Sequence, residues 1–190
     1  MAYYTDEQLR QMNFKRLGRN VKISEKASLY DTAEMEIGDC SRIDDFCIVS
    51  GRITIGAFCH VTPMCLLAGG TPGITLSDFS TLAYGVKIFA QSDDYSGATM
   101  VNSLIPKKFK DEYMAPVFLG RHVIVGTNAV VFPGVTIEEG CSIGAMTLVN
   151  KSTDAWGMYV GTPARWVRER KRDLLELEAQ FRDEVRNDSL

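Results

Sequence analysis

Residues 119–149 read LGRHVIVGTNAVVFPGVTIEEGCSIGAMTLV, and an aliphatic residue stands at every sixth position of this stretch. The same period occurs in two earlier segments of the chain. The complete set is Ile37, Ile43, Val49, Ile55, Val61, Leu67, Leu76, Leu82, Ile88, Leu119, Val125, Val131, Ile137, Ile143 and Val149. A fixed period of this kind indicates a repeat architecture, in which each unit buries its apolar face against its neighbours.

A second set of small or β-branched residues lies four positions after most of these aliphatic residues. Its members are Ser41, Cys47, Cys59, Cys65, Ser80, Val86, Val123, Ala129, Val135, Cys141 and Thr147. Two inward side chains with an outward one between them suit a short strand, and the Gly or Asp that often follows suits a corner. Three units would close one triangular coil, so fifteen units predict an all-β parallel β-helix of about five coils. Ile23 and Leu29 would add a partial coil at the N-terminal end.

Other folds explain the spacing less well. A six-residue step drifts around an α-helix of 3.6 residues per turn, and a β-sandwich would show alternation broken by irregular loops. Two interruptions, at 69–73 and at 89–117, should be insertions at corners that project outward. The longer one is the expected inserted loop, because long excursions from rigid scaffolds often carry binding or catalytic groups.

The two ends of the chain predict short helices. Thr5 and Gln8 have the spacing of a capping box for a helix that runs through Met12. At the other end, Leu174, Leu177, Phe181 and Val185 form an apolar stripe that predicts a helix docked on the coils or on a partner. The expected organisation is a single domain with an N-terminal helix and linker over 1–20, the β-helix over 21–165 and a C-terminal helix over 166–190.

Composition narrows the function classes. A formal net charge of -3 offers no broad attraction for nucleic acid, and no apolar run approaches the ~20 residues of a membrane span. The N-terminus lacks the basic start and apolar stretch of a secretory signal, so a cytoplasmic location is expected. The five cysteines contain no C-x-x-C spacing, and the repeat makes four of them small core residues.

The chain has only two histidines, His60 and His122. His60 lies between the inward residues Cys59 and Val61, so its imidazole should point outward from a coil face, beside Arg42, Thr81, Ile124 and Ser142 of neighbouring coils. There it could act as a general base or hydrogen-bond a partner chain. His122 falls in a turn, where exposed polar residues are ordinary. A zinc hydratase on the same scaffold would need three His ligands, so no metal site is expected.

The pattern of an aliphatic residue, then Gly or Asp, then a small residue four positions after the aliphatic one resembles the hexapeptide-repeat acyltransferases. Residues 55–62 (IGAFCHVT) resemble the nucleotide-amino-sugar N-acetyltransferase branch, whereas 125–131, 133–137, 143–145 and 160–165 resemble the galactoside and maltose acetyltransferase branch. The resemblance implies a left-handed coil, a homotrimer and acetyl-CoA as cosubstrate. It also implies that Thr127 and Ala145 line the pantetheine groove, that Asn150 and Lys151 lie near the nucleotide end, and that Arg165 and Arg168 meet the CoA phosphates.

One position departs from the galactoside branch. Where that branch has its catalytic His, this chain has Asp93, and a carboxylate is a weak base for a sugar hydroxyl. The stretch that starts with Asp93 and Asp94 resembles instead a subgroup assigned to lipopolysaccharide or nucleotide-amino-sugar acylation. The leading hypothesis is acetyl transfer to an amino-sugar or nucleotide-linked sugar, as in lipopolysaccharide O-antigen synthesis, with His60 as the base and Asp93 or Asp94 positioning the acceptor. O-acetylation of a sugar hydroxyl and a non-catalytic trimeric or carbohydrate-binding scaffold stay open as alternatives.

Overall fold

The six-residue repeat folds into short strands that stack coil upon coil. The computed structural model describes residues 2–187 and, as predicted, forms a parallel β-helix. All fifteen aliphatic positions of the repeat are at most 3% exposed, and the smaller residues four positions later are at most 2% exposed. The core is therefore a column of side chains enclosed by three sheets.

Each complete coil contributes one strand to each of three sheets. Sheet 1 consists of β1 (Arg16–Leu17), β4 (Met35–Ile37), β7 (Ile53–Ile55), β10 (Ile74–Leu76), β15 (Val117–Leu119) and β18 (Thr136–Ile137). Sheet 2 consists of β2 (Lys22–Ile23), β5 (Arg42–Ile43), β8 (His60–Val61), β11 (Thr81–Leu82), β16 (Ile124–Val125), β19 (Ser142–Ile143), β21 (Gly157–Val160) and β22 (Arg165–Glu169). Sheet 3 consists of β3 (Ser28–Tyr30), β6 (Ile48–Ser50), β9 (Leu66–Ala68), β12 (Lys87–Phe89), β17 (Val130–Val131) and β20 (Leu148–Val149).

The number of coils is larger than predicted. Six complete coils are present, and β21 begins a seventh by pairing with β19. The first coil is complete because β1 pairs in parallel with β4. The six-residue period does not reveal this coil, because a 3-10 turn at Thr32–Glu34 lengthens the connection from Leu29 to Ile37 beyond six residues.

Tight corners join the three sheets. The third residue after each inward aliphatic residue has a left-handed backbone at most corners, for example Phe58, Asn128 and Met146. At several corners the residue directly after the aliphatic one is Gly because successive turns touch: a Cβ on Gly126 would lie 2.5 Å from the amide nitrogen of Ala145. At such corners the stacking at a spacing of about 4.8 Å leaves no room for a side chain.

Both interruptions of the repeat lie at corners between sheet 3 and sheet 1. The shorter one, 69–73, joins β9 to β10. The longer one forms the inserted loop between β12 and β15, closed at its base by an antiparallel pair, β13 (Gln91–Ser92) with β14 (Tyr113–Met114). Tyr95 and Leu104 in this loop are 92% and 89% exposed, so the loop projects outward as predicted.

The N-terminal helix packs at the N-terminal end of the coil column, whereas the C-terminal helix packs along its side, at the corner between sheets 1 and 2. α1 (Asp6–Gln11) has the predicted capping box between Thr5 and Gln8, and its Leu9 packs into the core. α2 is Leu174–Asn187 and therefore starts later than the predicted residue 166. Residues before it form β22, because the backbone of β21 at the end of sheet 2 offers hydrogen-bonding groups that an antiparallel strand can pair. Neither helix in the described part of the chain has the length and apolar character needed to cross a lipid bilayer.

The inward positions should dominate stability. Leu82 is 0% exposed, so Leu82→Ala should lower the free energy of unfolding by about 2–5 kcal/mol through lost contacts and a residual cavity. Leu177 is 62% exposed, so Leu177→Ala is the matched control and should change stability by less than about 0.5 kcal/mol. Urea unfolding of both variants measures the difference, and equal effects would contradict the assignment of Leu82 to the core.

Candidate functional site

A row of outward side chains crosses sheet 2. The register pairs Arg42 with His60, His60 with Thr81, Thr81 with Ile124 and Ile124 with Ser142. This is the row predicted from the sequence, and it confirms that His60 points outward. The side chain of His60 is 38% exposed. The imidazole of His60 is therefore partly accessible to solvent.

A buried carboxylate orients His60. The Nε2 atom of His60 lies 2.8 Å from Oδ2 of Asp44, whose side chain is 2% exposed. Arg42 donates to both carboxylate oxygens, at 2.5 Å from Nε to Oδ1 and 3.1 Å from Nη2 to Oδ2. The Tyr3 hydroxyl donates to Oδ1 at 3.3 Å. The result is a polar cluster on the second and third coils, in which Asp44 is the common acceptor.

The electrostatics of this cluster fix the role of each group. Burial alone would raise the pKa of Asp44, but hydrogen bonds from Arg42 and His60 outweigh it, so the pKa lies below its ordinary value. Asp44 is therefore ionised at neutral pH and can only accept hydrogen bonds. It follows that Nε2 of His60 carries the hydrogen, and that Nδ1 of the neutral imidazole holds the free lone pair.

Asp44 was not singled out from the sequence. It occupies the position after an inward aliphatic residue, which the repeat marks as a turn position, and an Asp there is explained by turn formation alone. The pairing of Asp44 with His60 depends on the register between β5 and β8, because their side chains come from different coils.

His122 differs from the expectation for an exposed turn residue. It does occupy a corner with a left-handed backbone, but its side chain is only 9% exposed. Its Nε2 lies 2.6 Å from Oε2 of Glu178 on α2, and its ring stacks on Phe79 with a centroid distance of 5.2 Å. His122 is buried because α2 lies over this corner, which the turn sequence could not reveal.

The apolar stripe of α2 packs against the coils of the same chain. The sequence predicted either this contact or a contact with a partner chain. Phe181 packs edge-on against Phe58 at 5.2 Å and against Phe79 at 6.2 Å. Glu178 accepts hydrogen bonds from Arg121, Arg182 and His122. The helix is thus held by one aromatic cluster and one ionic cluster, both at the corner between sheets 1 and 2.

The ionic cluster under α2 should make stability depend on pH. Burial would raise the pKa of Glu178, but the hydrogen bonds from Arg182 and His122 and the charge of Arg121 lower it overall. A lowered pKa contributes stability that is fully present above the ordinary value, about 4.3, and is lost as the pH falls through the folded value. Glu178→Gln should therefore cost about 1–3 kcal/mol at pH 7, and its difference from wild type should shrink in acid below about pH 4.

Urea unfolding at several pH values measures this difference. Glu184→Gln, on the exposed side of the same helix, is the control and should be close to wild type at every pH. A Glu178→Gln penalty that stayed constant down to pH 3 would contradict the ionic role of Glu178.

Two residues expected to bind the pantetheine arm are brought together. Thr127 and Ala145 occupy the middle of successive turns at the corner between sheets 2 and 3, and Met146 donates its backbone N–H to the Thr127 carbonyl at 2.8 Å. The turn that contains Gly161 continues the stack, since Leu148 donates to the Gly161 carbonyl at 3.0 Å. We call this exposed row of small corner residues, Thr127, Ala145 and Thr162, the corner groove.

The expected nucleotide-end residues lie around the last coil. Asn150 and Lys151 follow β20 and are exposed, whereas Arg165 and Arg168 lie on β22 and are exposed as well. Arg168 donates to the sulfur of Met158 at 3.3 Å. Arg165 pairs with Val160 at the end of the corner groove, and Arg168 lies farther along β22, opposite Met158. Asn150 and Lys151 sit at the next corner, between sheet 3 and sheet 1.

The two acidic residues of the inserted loop have different environments. Asp94 accepts hydrogen bonds from the backbone N–H groups of Ser96 and Thr99 and from the Thr99 hydroxyl. The Ser96 side chain, the Ser96 backbone and Thr99 together lower its pKa to about 2. Asp93 is exposed. The loop leaves the coils at the corner between sheets 3 and 1, which in a triangular coil lies opposite sheet 2. One chain therefore does not bring Asp93 or Asp94 to His60.

Comparisons with known proteins match the whole chain. The dTDP-4-amino-4,6-dideoxy-D-glucose acyltransferase of Escherichia coli is 38% identical over 193 residues, which cover 100% of both proteins. AntD, an N-acyltransferase from Bacillus cereus solved with dTDP and 3-hydroxybutyryl-CoA, is 40% identical and superposes with a TM-score of 0.95 over 97% of this chain and 98% of that one. No protein-family model matches the sequence.

Two further solved structures match this chain at very different levels of sequence identity. A variant of AntD in complex with dTDP-4-amino-4,6-dideoxyglucose and coenzyme A is 41% identical, with a TM-score of 0.94 over 96% of this chain and 97% of that one. A maltose O-acetyltransferase from Clostridium difficile 630 is 21% identical, with a TM-score of 0.56 over 88% of this chain and 75% of that one. At that identity the second likeness shows the fold alone.

Proposed function

Because the chain belongs to the acyltransferase family of the Escherichia coli dTDP-4-amino-4,6-dideoxy-D-glucose enzyme, we propose that it acylates the amino group of a dTDP-linked amino-sugar, with acetyl-CoA as donor. The observation that carries the proposal is an outward His60 held by a buried Asp44 on the face that adjoins the corner groove. The 38% identity over the full length of an amino-sugar acyltransferase also favours nitrogen over oxygen as the acylated atom.

The proposed reaction is direct attack by the deprotonated amine on the thioester carbonyl. The C–N bond forms, Nδ1 of His60 accepts the proton released by the nitrogen, and the tetrahedral oxyanion is stabilised by backbone N–H donors. The C–S bond then breaks, and the imidazolium returns the proton to the departing CoA thiolate. Asp44 stabilises the transient imidazolium by its negative charge.

The donor would lie along the corner groove. Thr127 and Ala145 allow a thin pantetheine arm to approach the backbone closely, whereas Asn150 and Lys151, at the corner between sheets 3 and 1, lie outside this groove. Arg165 and Arg168 suit the CoA phosphates, because guanidinium groups bind phosphate oxygens with paired hydrogen bonds. This orientation directs the thioester toward the coils that carry His60.

The acceptor would be held partly by a second copy of the chain, so we propose a homotrimer. The inserted loop starts opposite sheet 2 of its own chain, so its acidic residues can meet His60 only in a neighbouring subunit. Asp93, which is exposed, is the better candidate to bind the acceptor, whereas Asp94 uses its carboxylate to shape the loop. We also propose that the enzyme acts in the cytoplasm and supplies an acylated sugar donor for surface polysaccharide such as lipopolysaccharide O-antigen.

The test is CoA release from acetyl-CoA across nucleotide-linked amino-sugars, their hydroxyl counterparts and free sugars. We expect release with dTDP-4-amino-4,6-dideoxyglucose and none with the 4-hydroxyl counterpart. Release only with hydroxyl sugars would replace N-acylation by O-acetylation. Absence of both turnover and acetyl-CoA binding would favour a non-catalytic scaffold.

A further inference from the structure

The corner between sheets 2 and 3 changes character along the coil column. In order from the N-terminal end, the middle residues of its turns from the second coil onward are Asp45, Pro63, Tyr84, Thr127 and Ala145, followed by Thr162 in the turn between β21 and β22. The last three are the small residues of the corner groove. Tyr84 is the first large side chain that a ligand lying in this groove would meet on its way toward the N-terminal coils.

The position of Tyr84 is fixed by the coil stacking. Asn128 donates its backbone N–H to the Tyr84 carbonyl at 2.9 Å, and Ala83 donates to the Val125 carbonyl at 2.8 Å. The Tyr84 turn therefore lies one coil, about 4.8 Å, below the Thr127 turn. Tyr84 is 59% exposed, so its ring stands away from the core at the end of the groove.

The phenol of Tyr84 also lies near the catalytic cluster. The pKa of Arg42 is raised by its hydrogen bonds to Asp44 and, to a smaller extent, by the nearby phenols of Tyr3 and Tyr84. His60 is adjacent to Thr81 across the sheet, and Thr81 is three residues before Tyr84. Tyr84 therefore lies on the coil between the corner groove, which starts one coil later, and the coils that carry Arg42, Asp44 and His60.

We propose that Tyr84 closes the thioester end of the corner groove and restricts the donor to short acyl groups, with acetyl preferred over four-carbon acyl groups. The inference rests on the proposed function, because the groove must hold the pantetheine arm with its thioester toward the fourth coil. An acetyl methyl group fits beside the ring, whereas two further carbons would need the space that the ring fills.

Calorimetric binding to the full chain tests this without requiring an acceptor. The probes are CoA, acetyl-CoA, butyryl-CoA and 3-hydroxybutyryl-CoA, and the proteins are wild type, Tyr84→Ala and Tyr84→Phe. Wild type should bind butyryl-CoA at least about tenfold more weakly than acetyl-CoA, since misfits of one or two carbons in a closed site have effects of this size. Tyr84→Ala should reduce the ratio to less than about threefold, and Tyr84→Phe should keep it because the ring is retained.

The outcomes separate this inference from the function on which it rests. Tyr30→Ala, at an equally exposed tyrosine on the first coil, should leave the discrimination as in wild type. Equal binding of acetyl-CoA and butyryl-CoA by wild type, or unchanged discrimination in Tyr84→Ala, would overturn the role of Tyr84 while leaving the acyltransferase function intact. Failure of wild type to bind any of the four CoA compounds would overturn both.

Discussion

His60→Gln should lower kcat/KM for acyl transfer by about 10²–10⁴-fold, with little change in the affinity for acyl-CoA. The amine must lose a proton as it attacks the thioester. Because Nε2 of His60 bonds Asp44, the lone pair on Nδ1 is available to accept this proton on the outward face of sheet 2. Glutamine keeps polarity and approximate size but cannot accept and return a proton. Steady-state release of CoA, together with calorimetric binding of acetyl-CoA, measures the two quantities separately.

His122→Gln is the control for this result, because His122 also bonds a carboxylate but lies under α2. It should lower stability and leave kcat/KM near wild type. Asp44→Asn provides a second comparison: an amide oxygen cannot balance the imidazolium charge, so kcat should fall, and the pH profile of kcat/KM should change relative to wild type. Turnover by His60→Gln at the wild-type rate would remove His60 from the mechanism.

The fold could be predicted from the sequence because its core repeats along the chain. Each unit places two inward side chains at fixed positions, so a pattern such as Val125 to Val131 to Ile137 specifies both burial and strand positions. The coil count was harder to predict, since the first coil contains Leu17, Ile23 and Leu29 but is separated from the second by a 3-10 turn. The start of α2 was misplaced because β22 forms through pairing with β21, and propensity does not report such pairing.

The candidate site could be predicted only in part, because several of its contacts join residues that are distant in the sequence. The outward direction of His60 follows from alternation within one strand, and its row of neighbours follows from counting coils. The carboxylate of Asp44 that orients it comes from another coil, and its burial depends on Arg42 and Tyr3 packing around it. The environment of His122 likewise depends on a helix more than fifty residues later in the chain. Contacts of this kind are set by packing, which a local pattern does not encode.

Sheet 3 has the surface expected of an interface between copies of the chain. The outward row of sheet 3 consists of Ser28, Ile48, Leu66, Lys87, Val130 and Leu148, so four of its six members are aliphatic. The outward row of sheet 1 is instead mostly polar, because Phe118 is the one apolar member of the row Arg16, Glu36, Thr54, Thr75, Phe118 and Thr136. A row of aliphatic side chains left facing water is unfavourable, and burying it against a second copy removes that cost. Sheet 3 also adjoins the corner groove, so its partner would lie beside the proposed donor site.

Ile48→Glu should therefore dissociate the proposed trimer and reduce kcat/KM by at least about 100-fold, even though Ile48 lies on sheet 3 and His60 on sheet 2. Placing a carboxylate in an apolar interface costs several kcal/mol per copy, and three copies carry the change in each trimer. In the proposed trimer the acceptor site combines His60 with the loop of a neighbouring subunit, so a monomer would keep its β-helix but lack a complete acceptor site. Thr75→Glu, on the polar face of sheet 1, should leave both the trimer and the activity unchanged. Sedimentation and circular dichroism of the two variants measure assembly and folding, and a fully active monomeric Ile48→Glu would show that each chain carries a complete site.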